Sequence, residues 1–177
     1  MDSSTENDSV GAAAACEYTQ NLEILRQTEF FAGLPMETLK VFAYLLEREV
    51  FADGDYLYRQ DEEDGRAFFI LYGELHLVRD IDGRKAKVSR YGAGDFVGGL
   101  SLLSPMRHLF SLRADVETHC LVMTREKFTK AVIQFPELMP RIFKSVSDRI
   151  RDWDRQRLLE MSEKGLPLEG MVGISAI

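Results

Sequence analysis

The spacing of apolar side chains changes period twice along the chain. Between residues 21 and 49 it is helical. Leu22 and Leu25 lead into Phe30-Phe31, a break follows at Gly33-Leu34-Pro35, and Leu39, Phe42, Ala43 and Leu46 then recur every three or four residues. The pattern predicts two helical pieces. The second runs from Met36 to Glu47, with Pro35 at its first turn, where the missing N–H is not needed.

From residue 47 the period shortens. Glu47–Phe51, Tyr56–Arg59, Ala67–Tyr72, Glu74–Arg79 and Lys85–Tyr91 are short runs rich in β-formers. Eight of the 13 glycines fall between residues 54 and 99 and punctuate these runs. Ile81-Asp82-Gly83 between two alternating runs signals a hairpin. No proline occurs from 36 to 104, so these strands keep all their ladder donors. Leu109–Val116 and His119–Thr124 read as closing strands. Many short strands separated by glycine turns predict a sandwich, roll or barrel.

Helical spacing returns after residue 124. A helix is expected over 125–133, then punctuation at Pro136 and Pro140, then a long helix over 141–164 that ends at Gly165 and Pro167. Phe143, Val146, Ile150 and Trp153 step by three, four and three, as in a short heptad stripe. That stripe suits either packing on the strands or a seam with a partner. Arg141, Lys144, Arg149, Arg151, Arg155 and Arg157 alternate with Asp148, Asp152, Asp154 and Glu160, which reads as a solvated face with local pairs.

Composition narrows the picture. The chain has 177 residues, 45% of them apolar, enough for one domain with a real core. A net charge of −7 argues against a surface built for nucleic acid. No apolar run is long enough to span a bilayer, and Met1-Asp2-Ser3-Ser4 lacks the form of a secretory signal. Cys16 and Cys120 cannot build a disulfide framework or an iron–sulfur site. A cytoplasmic protein is expected. No nucleophile elbow, Walker loop or zincin spacing is present, so no catalytic residues and no metal site are expected.

The order of segments resembles the cyclic nucleotide-binding domain family, which includes catabolite-activator-like regulators and regulatory subunits of cyclic-AMP-dependent kinase. The resemblance is carried by Phe30-Phe31-Ala32-Gly33-Leu34, by Phe51-Ala52-Asp53-Gly54-Asp55 with Tyr56-Leu57-Tyr58-Arg59-Gln60, by Phe69-Ile70-Leu71-Tyr72-Gly73-Glu74-Leu75, and by Tyr91-Gly92-Ala93-Gly94-Asp95-Phe96-Val97-Gly98. It covers roughly residues 20–160. It implies a mainly β fold with flanking helices: a double-stranded β-helix, or jelly-roll-like β-roll, of about eight strands, with N-terminal helices and a long C-terminal helix. The expected division is a disordered tail at 1–19, the domain at 20–164 with its roll at 47–124 and C-terminal helices at 125–164, and a flexible tail at 165–177.

The resemblance also implies a site. In the family a short helical turn offers backbone N–H groups to a cyclic phosphate, an arginine pairs with that phosphate, and a glutamate takes the ribose hydroxyl. The matching run here is Val97-Gly98-Gly99-Leu100-Ser101, continuing to Pro105-Met106-Arg107-His108. The glutamate position is Gly99. The arginine position is His108, with Arg107 one residue early, and on a strand one residue turns a side chain to the opposite face. Each lost charge-assisted hydrogen bond is worth roughly 1.5–3 kcal/mol. Two such losses weaken binding roughly 10²–10⁴-fold.

Gly98, Gly99, Leu100, Ser101, Arg107 and His108 are therefore the candidate ligand-binding residues of a degenerate, stand-alone cassette. The expected function is a non-catalytic regulatory sensor. It binds cyclic AMP or cyclic GMP weakly, or another small anionic effector, and signals through its C-terminal helix; the resemblance extends to oxygen-, haem- and small-molecule-sensing relatives that also lack the glutamate. The alternative is a ligand-free scaffold that forms a homodimer or binds a protein partner through the 141–161 helix. No DNA-binding domain fits after residue 165, and no membrane contact is expected. His76 reads as a partly exposed strand histidine rather than a haem ligand, and Cys120 as a small core residue.

Overall fold

The computed structural model describes residues 4–31 and 33–163. Helix α1 spans Ser4–Gln27, so residues 4–19, expected in a tail, belong to a helix. Ala12–Ala15 are the strongest helix formers and need no core of their own. The second half of α1 is tied down. Leu25 is fully buried, Asn21 donates to the Ala43 carbonyl at 3.3 Å, and Arg48 donates to Gln20 at 2.9 Å. A 3-10 turn, Glu29–Phe31, and helix α2, Met36–Leu45, follow. Helix α2 stops before Glu47, its expected end, because Leu46 already has extended geometry and Glu47 opens the first strand.

Eight strands follow: β1 Glu47–Phe51, β2 Tyr56–Tyr58, β3 Arg66–Tyr72, β4 Glu74–Ile81, β5 Arg84–Gly92, β6 Phe96–Val97, β7 Ser111–Ala114 and β8 Thr118–Thr124. They form two four-stranded antiparallel sheets, ordered β1-β8-β3-β6 and β2-β7-β4-β5. The β4–β5 hairpin closes with Asp82 and Gly83, both at positive φ, as a two-residue primed turn requires. Strand β6 was not expected; two residues give no period to read.

The period of two explains the layering. On β3 and β8, Phe68, Ile70, Cys120 and Val122 face the second sheet, where Leu57, Leu75 and Leu112 complete the roll interior. The alternate residues Ala67, Phe69, Leu121 and Met123 face the helices, against Leu25, Phe31 and Phe42. The central strands β3 and β8 are thus buried on both faces, while β1 at the sheet edge is largely exposed. The exposed sequence of β5 lies at the far edge of the other sheet.

Helix α3 covers Gly99–Leu103, α4 covers Arg125–Gln134, and a 3-10 turn, Pro136–Leu138, leads into α5, Met139–Glu163. Thr124 caps α4 through its hydroxyl, which accepts from the Lys127 N–H. Helix α5 starts two residues ahead of the expected Arg141, since Pro140 fits a first helical turn. It is held by the buried Ile142, by Arg141 donating to the Gly33 carbonyl, and by Ser145 donating to the Glu29 carbonyl at 3.2 Å. The expected stripe on α5 divides. Val146 and Ile150 face the roll, while Phe143 and Trp153 are exposed. The expected helix end at Gly165 and the tail at 165–177 lie outside the described residues.

Candidate functional site

A cavity of about 380 Å³ lies between the β6–α3 segment, the approach to β7, and α5. Gly98, Gly99, Leu100 and Ser101 form one wall, Val146, Arg149 and Ile150 the opposite one, and His108 reaches it from the run before β7. This volume falls in the range of small-molecule sites.

The two glycines of the first wall are required by what surrounds them. Gly98 has φ +89°, the left-handed region, and a Cβ there would stand 2.7 Å from the Arg66 carbonyl oxygen. A Cβ at Gly99 would stand 2.8 Å from Cε1 of Phe96 and 3.3 Å from Cε2 of Phe30. Phe96 cannot easily give way, because it stacks on Phe69 with centroids 4.3 Å apart and packs against Phe30. The place that the family resemblance gives to a ribose-binding glutamate is therefore filled by an aromatic ring.

Ser101 is buried. Its carbonyl accepts from Nε of Arg125 at 2.6 Å, and Arg125 also pairs with Glu63 at 2.9 Å. Nη2 of Arg125 is buried without a partner, its side chain packed beside Gly65. Arg125 therefore braces the cassette turn from behind rather than facing the cavity.

His108 and Arg107 part company. His108 is 8% exposed, its ring stacked on Tyr58 with centroids 3.7 Å apart, and its Nε2 lies 2.7 Å from Oδ1 of Asp64. Its backbone pairs with the 61–62 loop: His108 N–H donates to the Glu62 carbonyl and Asp61 N–H donates to the His108 carbonyl. These two bonds set which face of the segment turns inward. Arg107 is exposed and does not line the cavity. The structure thus brings Gly98, Gly99, Leu100, Ser101 and His108 to one cavity and leaves Arg107 outside it.

Asp64 is the centre of a local charge network. Arg66 donates to it from both its backbone N–H and its Nε, and also pairs with Glu49 at 3.1 Å. Burial alone would raise the Asp64 pKa. The hydrogen bonds from His108 and Arg66, with the attraction of the imidazole, outweigh burial and hold the carboxyl below its ordinary range. Burial pushes the Tyr58 hydroxyl up, and pushes the Cys120 thiol up to about 12, so Cys120 is an inert core thiol.

Sequence reasoning missed Asp64, Phe96 and Arg149 as parts of this region. Charge alternation alone places Arg149 in a solvated run. Its signal was position: three residues after Val146 and one before Ile150, it shares their side of the helix.

A second cluster lies on the β4 sheet. Donor atoms of Glu74, His76 and Asp115 lie within 4.8 Å of one another. Nδ1 of His76 is 2.5 Å from Oδ2 of Asp115 but is not aligned for a hydrogen bond. Lys87 pairs with Asp115 and Arg90 with Glu74, each at 2.5 Å, so both carboxylates already have cations. His76 is accordingly a partly exposed strand histidine in an ion network.

Two antiparallel sheets rolled around an apolar interior, with a glycine-cornered turn over a cavity and a helix across it, define a β-roll with flanking helices. Residues 48–134 match the family model described as cyclic nucleotide-binding domain, and the roll of this chain belongs to that family. Human cGMP-dependent protein kinase 2 is 26% identical over 161 residues, covering 89% of this chain and 21% of the kinase. The structure of a cyclic nucleotide-binding-like protein from Brucella abortus is similar with TM-score 0.59 and 26% identity, covering 64% of this chain and 97% of that one. The regulatory subunit of a cAMP-independent protein kinase A from Trypanosoma brucei is similar with TM-score 0.58 and 27% identity, covering 73% of this chain and 48% of that one. The chain spans only 7% to 21% of the length of the first curated relatives it matches. No helix among the described residues is long and apolar enough to cross a membrane.

Proposed function

We propose that this chain is a non-catalytic sensor module. A small anionic effector enters the cavity between the cassette turn and α5, and its binding is signalled through α5. The observation that carries the reading is the cavity itself: family fold, cassette turn and C-terminal helix meet around one space large enough for a ligand. Cyclic AMP and cyclic GMP are weak ligands in this reading, because Gly99 faces the Phe96 ring and His108 is engaged by Asp64. The similarity to a kinase regulatory subunit described as cAMP-independent supports a roll that serves regulation without that nucleotide. The exposed free thiol of Cys16 suits a reducing, cytoplasmic setting.

The test is thermal unfolding with cyclic AMP or cyclic GMP at millimolar concentration, on wild type and on Ile150→Trp, which fills the cavity. Any ligand of the native state raises the melting temperature by mass action. The reading expects a small rise in wild type that is absent in the variant. A rise of equal size in both proteins would place the nucleotide elsewhere and contradict the reading.

A second reading is favoured by the exposed apolar residues Phe143, Trp153 and Leu159 along α5, which suit a dimer or protein-interaction surface. Under it, Trp153→Glu halves the mass seen by light scattering; a wild-type protein that is monomeric at high concentration rules out the dimer.

A further inference from the structure

The charge pattern of the cavity points to the chemistry of its occupant, and this inference rests on the sensor reading above. The walls are mainly hydrocarbon and aromatic ring: Tyr91 and Phe96 from the roll, Leu100 and Met106 at the cassette, Val146 and Ile150 from α5. Among the described residues that line it, Arg149 is the one with a permanent charge. Its helix neighbours are already matched, since Asp148 pairs with Lys144 at 2.5 Å and with Arg151 at 3.1 Å. Among the described residues Arg149 itself is in no such pair, although it also borders the adjoining groove that holds Glu29.

A guanidinium beside an apolar cavity matches a particular kind of molecule. The body of the ligand fills the apolar space, and a terminal carboxylate meets the planar fork of the arginine in two parallel hydrogen bonds. A cyclic nucleotide makes the opposite demands. It needs a cation at the cassette end, where Arg107 lies outside the cavity and His108 is bound to Asp64. It also needs a polar partner for its sugar where Gly99 meets the Phe96 ring.

We propose that the cavity takes an organic monoanion with an apolar body, of the aromatic or medium-chain carboxylate class, and that Arg149 of α5 supplies its countercharge. The countercharge then sits on the helix and not on the roll. Ligand contact depends directly on where α5 lies, which is the differential interaction that a switch requires.

The test is titration calorimetry on the full chain with 2-naphthoate and its neutral isostere 2-naphthamide, with cyclic AMP as the third probe. Wild type is expected to bind the carboxylate about tenfold or more tightly than the amide, the size of one charge-assisted hydrogen bond. Arg149→Gln removes that preference while leaving the binding of the amide, Arg149→Lys restores part of it, and Arg107→Gln leaves it intact. Ile150→Trp abolishes binding of both aromatic probes. Equal binding of the two isosteres by wild type, or a preference that survives Arg149→Gln, overturns the assignment and leaves the sensor reading standing. Aromatic-probe binding that persists in Ile150→Trp lies outside the cavity and also overturns the assignment. Cyclic AMP binding more tightly than the carboxylate overturns the ligand class. Failure of all three probes to bind wild type overturns the assignment together with the sensor reading.

Discussion

Nε2 of His108 stands 2.7 Å from Oδ1 of Asp64, within the same network that joins Asp64 to Arg66. The imidazole at the family's arginine position is thereby committed to an internal carboxylate. Because that carboxyl is held below its ordinary value of 3.8, it contributes stability that is fully present above that pH and is lost as the pH falls through its lower native value. Asp64→Asn should therefore cost about 1–3 kcal/mol at pH 7, the cost of leaving buried donors unsatisfied. At about 2–4 °C per kcal/mol for a chain of this size, thermal unfolding should show a fall of several degrees. The gap to wild type should narrow as the pH drops below 3.8. A gap that stays constant from neutral pH down to strongly acidic solution would remove Asp64 from its central role.

The two cassette glycines should respond differently to a single added methyl group. Gly98→Ala must hold an L-residue at φ +89° and also push Cβ into the Arg66 carbonyl, which is backbone and cannot rotate away. Gly99→Ala carries no such backbone strain and meets only side chains, the stacked Phe96 ring at 2.8 Å and Phe30 at 3.3 Å, which must move against their own packing. Urea unfolding should show a loss of about 2–4 kcal/mol for Gly98→Ala. The loss for Gly99→Ala should be about 1–2 kcal/mol. The reverse order would mean that ring packing, not backbone geometry, fixes the turn.

Arg125 links helix α4 to the back of the cassette through the Ser101 carbonyl. Arg125→Leu leaves that buried carbonyl without its donor and should cost about 1–3 kcal/mol in denaturant unfolding. It should also speed amide exchange in residues 99–103 more than in β3. Equal exchange in both segments would show that α3 needs no brace.

The roll was legible because its strands repeat a strong signal. Phe68-Phe69-Ile70 and Cys120-Leu121-Val122-Met123 lack polar alternation because β3 and β8 are covered on both faces, and the glycines marked the corners. Helix α1 was illegible ahead of residue 20 since its first half rests on intrinsic propensity rather than on an apolar stripe. The cassette was located by its glycine pair, but nothing local announced Phe96 as the group that excludes a side chain at Gly99. Which of Arg107 and His108 turns inward depends on two backbone hydrogen bonds to residues 61 and 62, far away in sequence. Arg149 was lost among alternating charges, where a helix face is decided by what it packs against and not by its own composition.

The central claim is that a ligand in the cavity is felt by α5. Hydrogen exchange read by mass spectrometry, with and without saturating 2-naphthoate, tests it most directly. The account predicts added protection in two segments together, residues 96–103 at the cassette and residues 142–152 on α5. Protection confined to the cassette, with α5 unchanged while the probe is bound, would contradict it.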